Sequence, residues 1–381
     1  MLRWKDAATG IQPFMPTRGV RNYPQSPLWK SIKDLFGPIV ALLRLILVAA
    51  VTSIGAVLYC LFMLIPIQSV RSVCNSWISF ICGRLVLFLL GFYSVTVKEE
   101  QLHLSFGSGS VTSALKFTVK QTNDSFITSR SRPALSLREK SALKNTTNRA
   151  ILPGDLIVAN HASYVDIIYL FTMYSPAFTA INPKTGQLRQ IPLYEAIMAC
   201  GQHPSHLSDH TKSETTLPSL IESCRKLNKP VVLFPEATTS NNRALLRPAV
   251  DMNALFSGVQ IPKQRVHVIT FRYVFQEFSP AYILGGKLSH LIGLCSQVWN
   301  ALQVRVCFHH DAYWKDGGFD GGSPAEKGAK KVVAVRAAGS GLGQVVETML
   351  VDVSKLKMTS LGVKDKIEFF EYCMDKQKWA Q

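Results

Sequence analysis

Twenty-three consecutive residues, Leu45 to Ile67 (LILVAAVTSIGAVLYCLFMLIPI), carry no charge. At 1.5 Å per helical residue this run is long enough to cross roughly 30 Å of hydrocarbon, which makes it a candidate transmembrane helix. It does not read as a cleaved leader: it begins forty-odd residues into the chain, exceeds the length of a leader's apolar region and lacks a small-residue cleavage site after it. A second apolar stretch, Trp77 to Val95, holds Arg84 near its middle. An arginine at that depth costs about 2.5–3.5 kcal/mol on insertion, which favours re-entry or an interfacial path over spanning. Arg3, Lys5, Arg18, Arg21, Lys30, Lys33 and Arg44 precede the first run against only Asp6 and Asp34, a bias that places the segment before it in the cytosol. If the two stretches form a hairpin, the rest of the chain is cytosolic too.

Among 381 residues, 47% hydrophobic, stand 20 Phe, 11 Tyr and 6 Trp, more buriable surface than a disordered chain carries. The net charge of +17 calls for an anionic partner. No aromatic-rich single-strand platform and no DNA-binding motif accompanies it, so nucleic acid is not expected and a membrane face accounts for the charge better. The eight cysteines lie singly, without a C-x-x-C pair. That pattern favours a reducing compartment and argues against structural zinc; no metal site is expected.

The chain divides into a basic N-terminal segment (1–34), the membrane hairpin (35–97), an insertion (98–150), a catalytic domain (151–320) and a C-terminal linker and helix (321–381). Residues 101–150 hold fifteen Ser and Thr and eight basic residues against two acidic ones, with little apolar periodicity, and read as a mobile insertion. From Leu152 onward, β-type runs at 156–159, 231–234, 265–274 and 302–308 alternate with helical stretches such as YVDIIYLFTMY. This alternation predicts an α/β fold, a mixed central sheet flanked by helices, with a membrane-embedded hairpin before it.

Two polar blocks follow strand-like runs directly. The first, Asn160-His161-Ala162-Ser163-Tyr164-Val165-Asp166, puts a histidine at the carboxyl end of a strand, where α/β sheets hold their ligands. A carboxylate five residues on, in the first turn of the next helix, can reach back to Nδ1 and leave Nε2 free as a general base. A helix-capping Asp beside a surface His would explain the same spacing. The second block, Phe234-Pro235-Glu236-Ala237-Thr238-Thr239-Ser240-Asn241, offers a carboxylate and hydroxyls for a glycerol hydroxyl and turn N–H groups for a phosphate or oxyanion. A strand ending in a polar turn with a capping Ser would also produce it.

With N-H-x-S-x-x-D at 160–166 and F-P-E-x-T-x-S at 234–240, seventy-five residues from His161 to Glu236, the chain resembles the glycerolipid acyltransferases of the lysophosphatidic acid type. The likeness covers roughly 77–320, including Lys184 and Ile191-Pro192. The N-terminal Trp4-Lys5-Asp6-x-x-Thr9-Gly10-Ile11-x-Pro13-Phe14 is similar to a fungal branch found at the endoplasmic reticulum and lipid droplets. The resemblance implies the glycerolipid acyltransferase fold, with His161 as general base and Asp166 as its partner. It further implies an acceptor site that includes Asn160, Ser163, Lys184, Glu236, Ala237, Thr238 and Ser240. The implied reaction needs acyl-CoA as co-substrate and no cofactor, takes a lysophospholipid acceptor, most closely 1-acylglycerol-3-phosphate, and faces the cytosol from a membrane rich in partner lipids.

This chain departs from that pattern where the family usually has Gly and Arg, here Ala237 and Thr239; at Leu207-Ser208-Asp209-His210, where His210 replaces an arginine; and at Thr270, where a proline is usual. Arg243, four residues after Thr239, would return its guanidinium to the Glu236 turn if that segment is helical; Lys184, Arg189 and Arg247 are further sources of positive charge. A different lysophospholipid acceptor, a transacylation without CoA, and a non-catalytic lipid-binding or trafficking factor remain open. His309-His310-Asp311 reads as a solvated turn, and Gly339-Ser340-Gly341-Leu342-Gly343 as a flexible linker.

Overall fold

Most of the uncharged run lies in α1 (Pro27–Met63) and most of the second apolar stretch in α2 (Gln68–Leu89). The computed structural model describes residues 2–17, 27–105, 116–121, 150–204, 214–260, 264–275, 277–309 and 341–379. After α2 come β1 (Val95–Ser105), β2 (Lys116–Gln121), β3 (Leu156–Ala159), α3 (Tyr164–Tyr174), β4 (Ala177–Ile181), β5 (Leu188–Ile191), α4 (Leu193–Ala199), α5 (Leu217–Lys226) and β6 (Val231–Leu233). Then follow α6 (Met252–Leu255), β7 (Val266–Val274), α7 (Lys287–Cys295), β8 (Ala301–Cys307), α8 (Leu342–Ser354) and α9 (Val363–Trp379).

Seven strands form one mixed sheet in the order β1-β8-β7-β3-β6-β4-β5, and β2 pairs antiparallel with β1 to extend it. The four central strands β7, β3, β6 and β4 are parallel, while β8 and β5 run antiparallel to their central neighbours. This is the mixed α/β sheet that the alternation of signals predicts. β3 reads LIVA because helices cover both faces and every side chain must be apolar. Ile157 and Ala159 join the core under α2 and α3, while Leu156 and Val158 join the opposite core under α5, α6 and α8. Because β3 and β6 are ladder neighbours, with Val158 opposite Leu233, the two polar blocks leave the sheet side by side.

Two helices, over Leu35–Met63 and Val70–Leu89, are long and apolar enough to cross a membrane. α2 is fastened to the domain at both ends. Asn228 Nδ2 donates to Ser72 Oγ at 2.9 Å, and Val86, Leu87 and Leu90 are buried in the central core. At Gly83 the helix approaches Thr172 of α3 so closely that a Cβ would lie 2.1 Å from Oγ1. Arg84 donates to the Tyr93 carbonyl at 2.9 Å, so its charge sits where α2 meets the domain. Arg44 ties α1 to the carbonyls of Cys295 and Gln297 at 2.9 and 2.5 Å. Beyond Arg44 the outward faces of both helices are apolar, and Leu64 in the connecting turn is 80% exposed.

Both flanking regions differ from expectation. Residues 98–105 and 116–121 of the expected insertion are strands, because β8 pairs with β1 over Val95–Glu99 and β2 pairs with it over Glu100–Ser105; 106–115 and 122–149 lie outside the described residues. The tail is more than a linker and helix. Gly341 caps α8 and Gly343 lets that helix touch the Met252 backbone, where a Cβ would lie 2.1 Å from its carbonyl carbon; 310–340 lie outside the described residues, and with them His310, Asp311, Gly339 and Ser340. His309 is buried and accepts from Val266 N at 3.2 Å, so it does not sit in a solvated turn. The N-terminal motif also has a place: Trp4 and Phe14 pack on Phe369 of α9, and Asp6 accepts from Ser360 N and Oγ at 2.9 and 2.5 Å.

Candidate active site

α3 begins with a capping box in which Ser163 accepts from Val165 N and Asp166 accepts from the Ser163 N–H. The same Asp166 carboxylate takes Ala162 N at 2.7 Å, Tyr273 OH at 2.5 Å and faces His161 Nδ1 at 3.4 Å. One side chain therefore both caps the helix and faces the imidazole. The fully buried carboxylate is held by several donors, and the imidazole against it turns Nδ1 to the carboxylate, which favours a proton there, and Nε2 to Cys200. Phe234 stacks on the ring, centroids 4.3 Å apart and planes at 21°, which fixes its tilt.

His161 opens on a pocket whose far wall is largely apolar, with Ile167, Phe178, Ile181 and Ile191 beside Thr179, and whose near wall is Ala237, Thr238 and Thr239. Cys200, at the end of α4, puts Sγ 3.4 Å from Nε2 and 3.4 Å from the Ala196 carbonyl. Burial pushes this thiol up, so it faces the imidazole protonated. Glu236 fastens the two blocks together: Oε1 accepts from His161 N at 3.4 Å and Oε2 from Leu246 N at 3.3 Å. Its burial pushes the carboxyl up to about 8. Among the described residues no group of three His, Cys, Asp or Glu side chains converges as a metal site would require.

An acyltransferase family model matches residues 142–273, which contain both blocks. Residues 142–273 are thus an acyltransferase-family domain. A Schizosaccharomyces pombe protein with the provisional name lysophosphatidic acid:oleoyl-CoA acyltransferase is 25% identical over 243 residues, 64% of this chain and 64% of that protein. The Arabidopsis thaliana lysophospholipid acyltransferase LPEAT1 is 28% identical over 156 residues, 40% of this chain and 37% of that one. The chain thus spans less than two thirds of the length of the curated relatives it matches. The crystal structure of the 1-acyl-sn-glycerophosphate acyltransferase PlsC from Thermotoga maritima aligns with 86% of this chain and 99% of its own at 14% identity and a TM-score of 0.42.

Within the acyltransferase domain the residues expected to hold the acceptor separate into two groups. Ala237 and Thr238 line the pocket. The others are turned elsewhere. Asn160 pairs both its polar atoms with the Phe271 backbone, at 3.2 and 2.7 Å, and so prolongs the β3–β7 ladder. Ser163 is the helix cap, and Ser240 is buried with its N–H on the His161 carbonyl at 3.0 Å. Glu236 is spent on backbone N–H groups and does not line the pocket. Lys184 is exposed on the β4–β5 turn, and Arg189 is paired with Glu195. Residues 241–250 form bends, not a helix, so the return of Arg243 toward Glu236 is absent; Arg243 and Arg247 are exposed. Leu207 to His210 lie outside the described residues.

Three residues escaped the sequence reading: Cys200 on Nε2, Tyr273 on Asp166, and Lys366 of α9, whose Nζ donates to Thr239 O at 2.5 Å and Thr239 Oγ1 at 3.0 Å. Tyr273 and Cys200 carry no local motif. Lys366 does leave a signal: it falls on the stripe Val363, Lys366, Phe370, Cys373, where a helix of this amphipathicity puts its buried face.

Proposed function

We propose that the chain moves a fatty acyl group from acyl-CoA to the free hydroxyl of a lysophospholipid, with 1-acylglycerol-3-phosphate as acceptor and phosphatidic acid as product. The observation that carries this reading is His161 at the pocket wall, with Nδ1 backed by a carboxylate that Ala162 N, Ser163 N and Tyr273 OH also hold. In the reaction, the acceptor hydroxyl takes the place beside Nε2 that the Cys200 thiol fills at rest. Nε2 accepts the hydroxyl proton as its oxygen attacks the thioester carbon. Collapse of the tetrahedral adduct breaks the C–S bond, and the departing CoA sulfur takes the proton from the imidazolium. A thioester is already activated, so positioning plus one base is sufficient chemistry. The apolar far wall suits an acyl chain. The α1–α2 hairpin would seat the chain in the endoplasmic reticulum membrane or on lipid droplets with the domain facing the cytosol, in keeping with the basic residues ahead of its apolar run.

The test is labelled oleoyl-CoA offered to purified protein with a panel of lysolipids. Transfer to lysophosphatidic acid is expected, and His161→Ala should lower it about 10²–10⁴-fold with folding intact. Near-normal turnover in folded His161→Ala protein, or no transfer to any lysolipid, overturns the reading.

A further inference from the structure

Lys366 sits in the first turn of α9 with no exposed surface. Three features make this an expensive position for an ammonium group. It is desolvated; it lies near the positive end of a helix; and its hydrogen bonds go to a neutral carbonyl and a neutral hydroxyl, with no ion pair to a carboxylate among the described residues. The acids close enough to balance it are Glu236 and Cys200, and burial pushes both toward their neutral forms. The ammonium itself is lowered to about 7, burial outweighing those two neighbours. A neutral residue could bridge Thr239 to α9 without this penalty. The cation nevertheless stands one hydrogen bond behind Thr239, which with Ala237 and Thr238 forms the near wall of the pocket beside His161.

The surroundings hold it there. Asn241, two residues after Thr239, donates through Nδ2 to the carbonyls of Gln12 and Met15 at 2.7 and 3.0 Å, and the N-terminal segment packs in turn on Phe369. Lys366 thus belongs to a backing for the turn, assembled from the N-terminal segment and α9.

We infer that Lys366 is a positioning residue for the acceptor's anionic headgroup: acting through Thr239, it puts a positive charge behind the wall that a phosphate monoester would face. This deepens the proposed function by assigning the headgroup's counter-charge to α9, outside both sequence blocks. A phosphate at the wall is the missing counter-ion, and its arrival stabilises the protonated amine. An uncharged acceptor gains nothing from it.

The experiment compares the wild type, Lys366→Met and Lys366→Arg in the full chain, with two readouts. In turnover, lysophosphatidic acid is set against neutral 1-acylglycerol. Lys366→Met should raise KM for lysophosphatidic acid about ten- to a hundredfold, the worth of one unit charge roughly 6–12 Å from the phosphate at an effective dielectric near 20, and leave KM for 1-acylglycerol within twofold; Lys366→Arg should retain most of the preference. In thermal unfolding, glycerol 3-phosphate should stabilise the wild type beyond equimolar glycerol, and Lys366→Met should abolish the difference. An equal loss of kcat for both acceptors with unchanged KM values makes Lys366 a structural prop and overturns the inference. Should Lys366→Met not fold, failure of Lys366→Arg to retain the preference, or no glycerol 3-phosphate effect on the wild type, does the same. Lys366-dependent stabilisation by glycerol 3-phosphate without turnover would instead sink the acyltransferase reading and leave the anion site standing.

Discussion

Replacing Glu236 with Gln isolates the burial of one carboxyl group. In the folded protein this group is pushed from 4.5 up to about 8, chiefly by desolvation. Between those values the folded chain keeps a proton that the unfolded chain has lost, so wild-type stability falls as pH rises through that window. At about 1.4 kcal/mol per pH unit, the 3.5-unit window amounts to roughly 5 kcal/mol. Glutamine cannot ionise and escapes the loss. Its amide cannot accept from both His161 N and Leu246 N, so it forfeits one hydrogen bond, about 1 kcal/mol. Lys366 works in the opposite sense, its lowered value adding stability as pH rises from about 7 to 10.5, and it is present in both proteins. The variant should therefore be slightly less stable than wild type at pH 5 and more stable, by several kcal/mol, at pH 8.5. Tryptophan fluorescence of detergent-solubilised protein, followed through thermal unfolding at four or five pH values, reads the crossing. Parallel curves for the two proteins from pH 5 to 8.5 would refute the reasoning.

Tyr273→Phe removes the 2.5 Å donor to Asp166 and should lower kcat about ten- to a hundredfold while destabilising by about 1.5–3 kcal/mol, checked by steady-state transfer and unfolding together. Gly343→Val drives a side chain into the Met252 backbone and should destabilise by about 1–3 kcal/mol, separating α8 from α6 without touching the pocket; unfolding with activity as a control decides it. Asn123 and Asn145 head glycosylation sequons outside the described residues, and with a cytosolic domain both should stay unmodified; an endoglycosidase-sensitive mass shift would reverse the topology.

What the sequence made legible followed from local physics. β3 and β6 were readable because strands covered on both faces are apolar along their length, β7 and β8 because apolar β-formers recur through them, and α3 because its cap and its apolar run coincide. β4 and β5 were not, since AFTAI and LRQI are short and their strand character depends on the partners beside them. His161 and Asp166 could be read because they share five residues of chain. The roles of Glu236 and Asn160 could not: a carboxylate after a strand looks the same whether it faces a ligand or two backbone N–H groups, and only the approach of Leu246 decides it. Tyr273 and Cys200 reach the site from separate elements, 107 and 39 residues from their partners.

The backing of the Glu236 turn joins Asp6 to Ser360 across 354 positions, Gln12 to Asn241 across 229 and Thr239 to Lys366 across 127. The Asp6–Ser360 contact closes a longer loop than the 253 positions from Arg44 to Gln297 and rewards the entropy of closing it only late, so this backing should form after the sheet has condensed around its local helices. Folding and competence then become separate events. A chain with its strands paired and its hairpin docked would already resist denaturation yet lack an ordered wall beside His161. Hydrogen exchange should show residues 2–17 and α9 opening together at a lower free energy than β3 and β6, and regain of turnover during refolding should lag behind regain of the sheet.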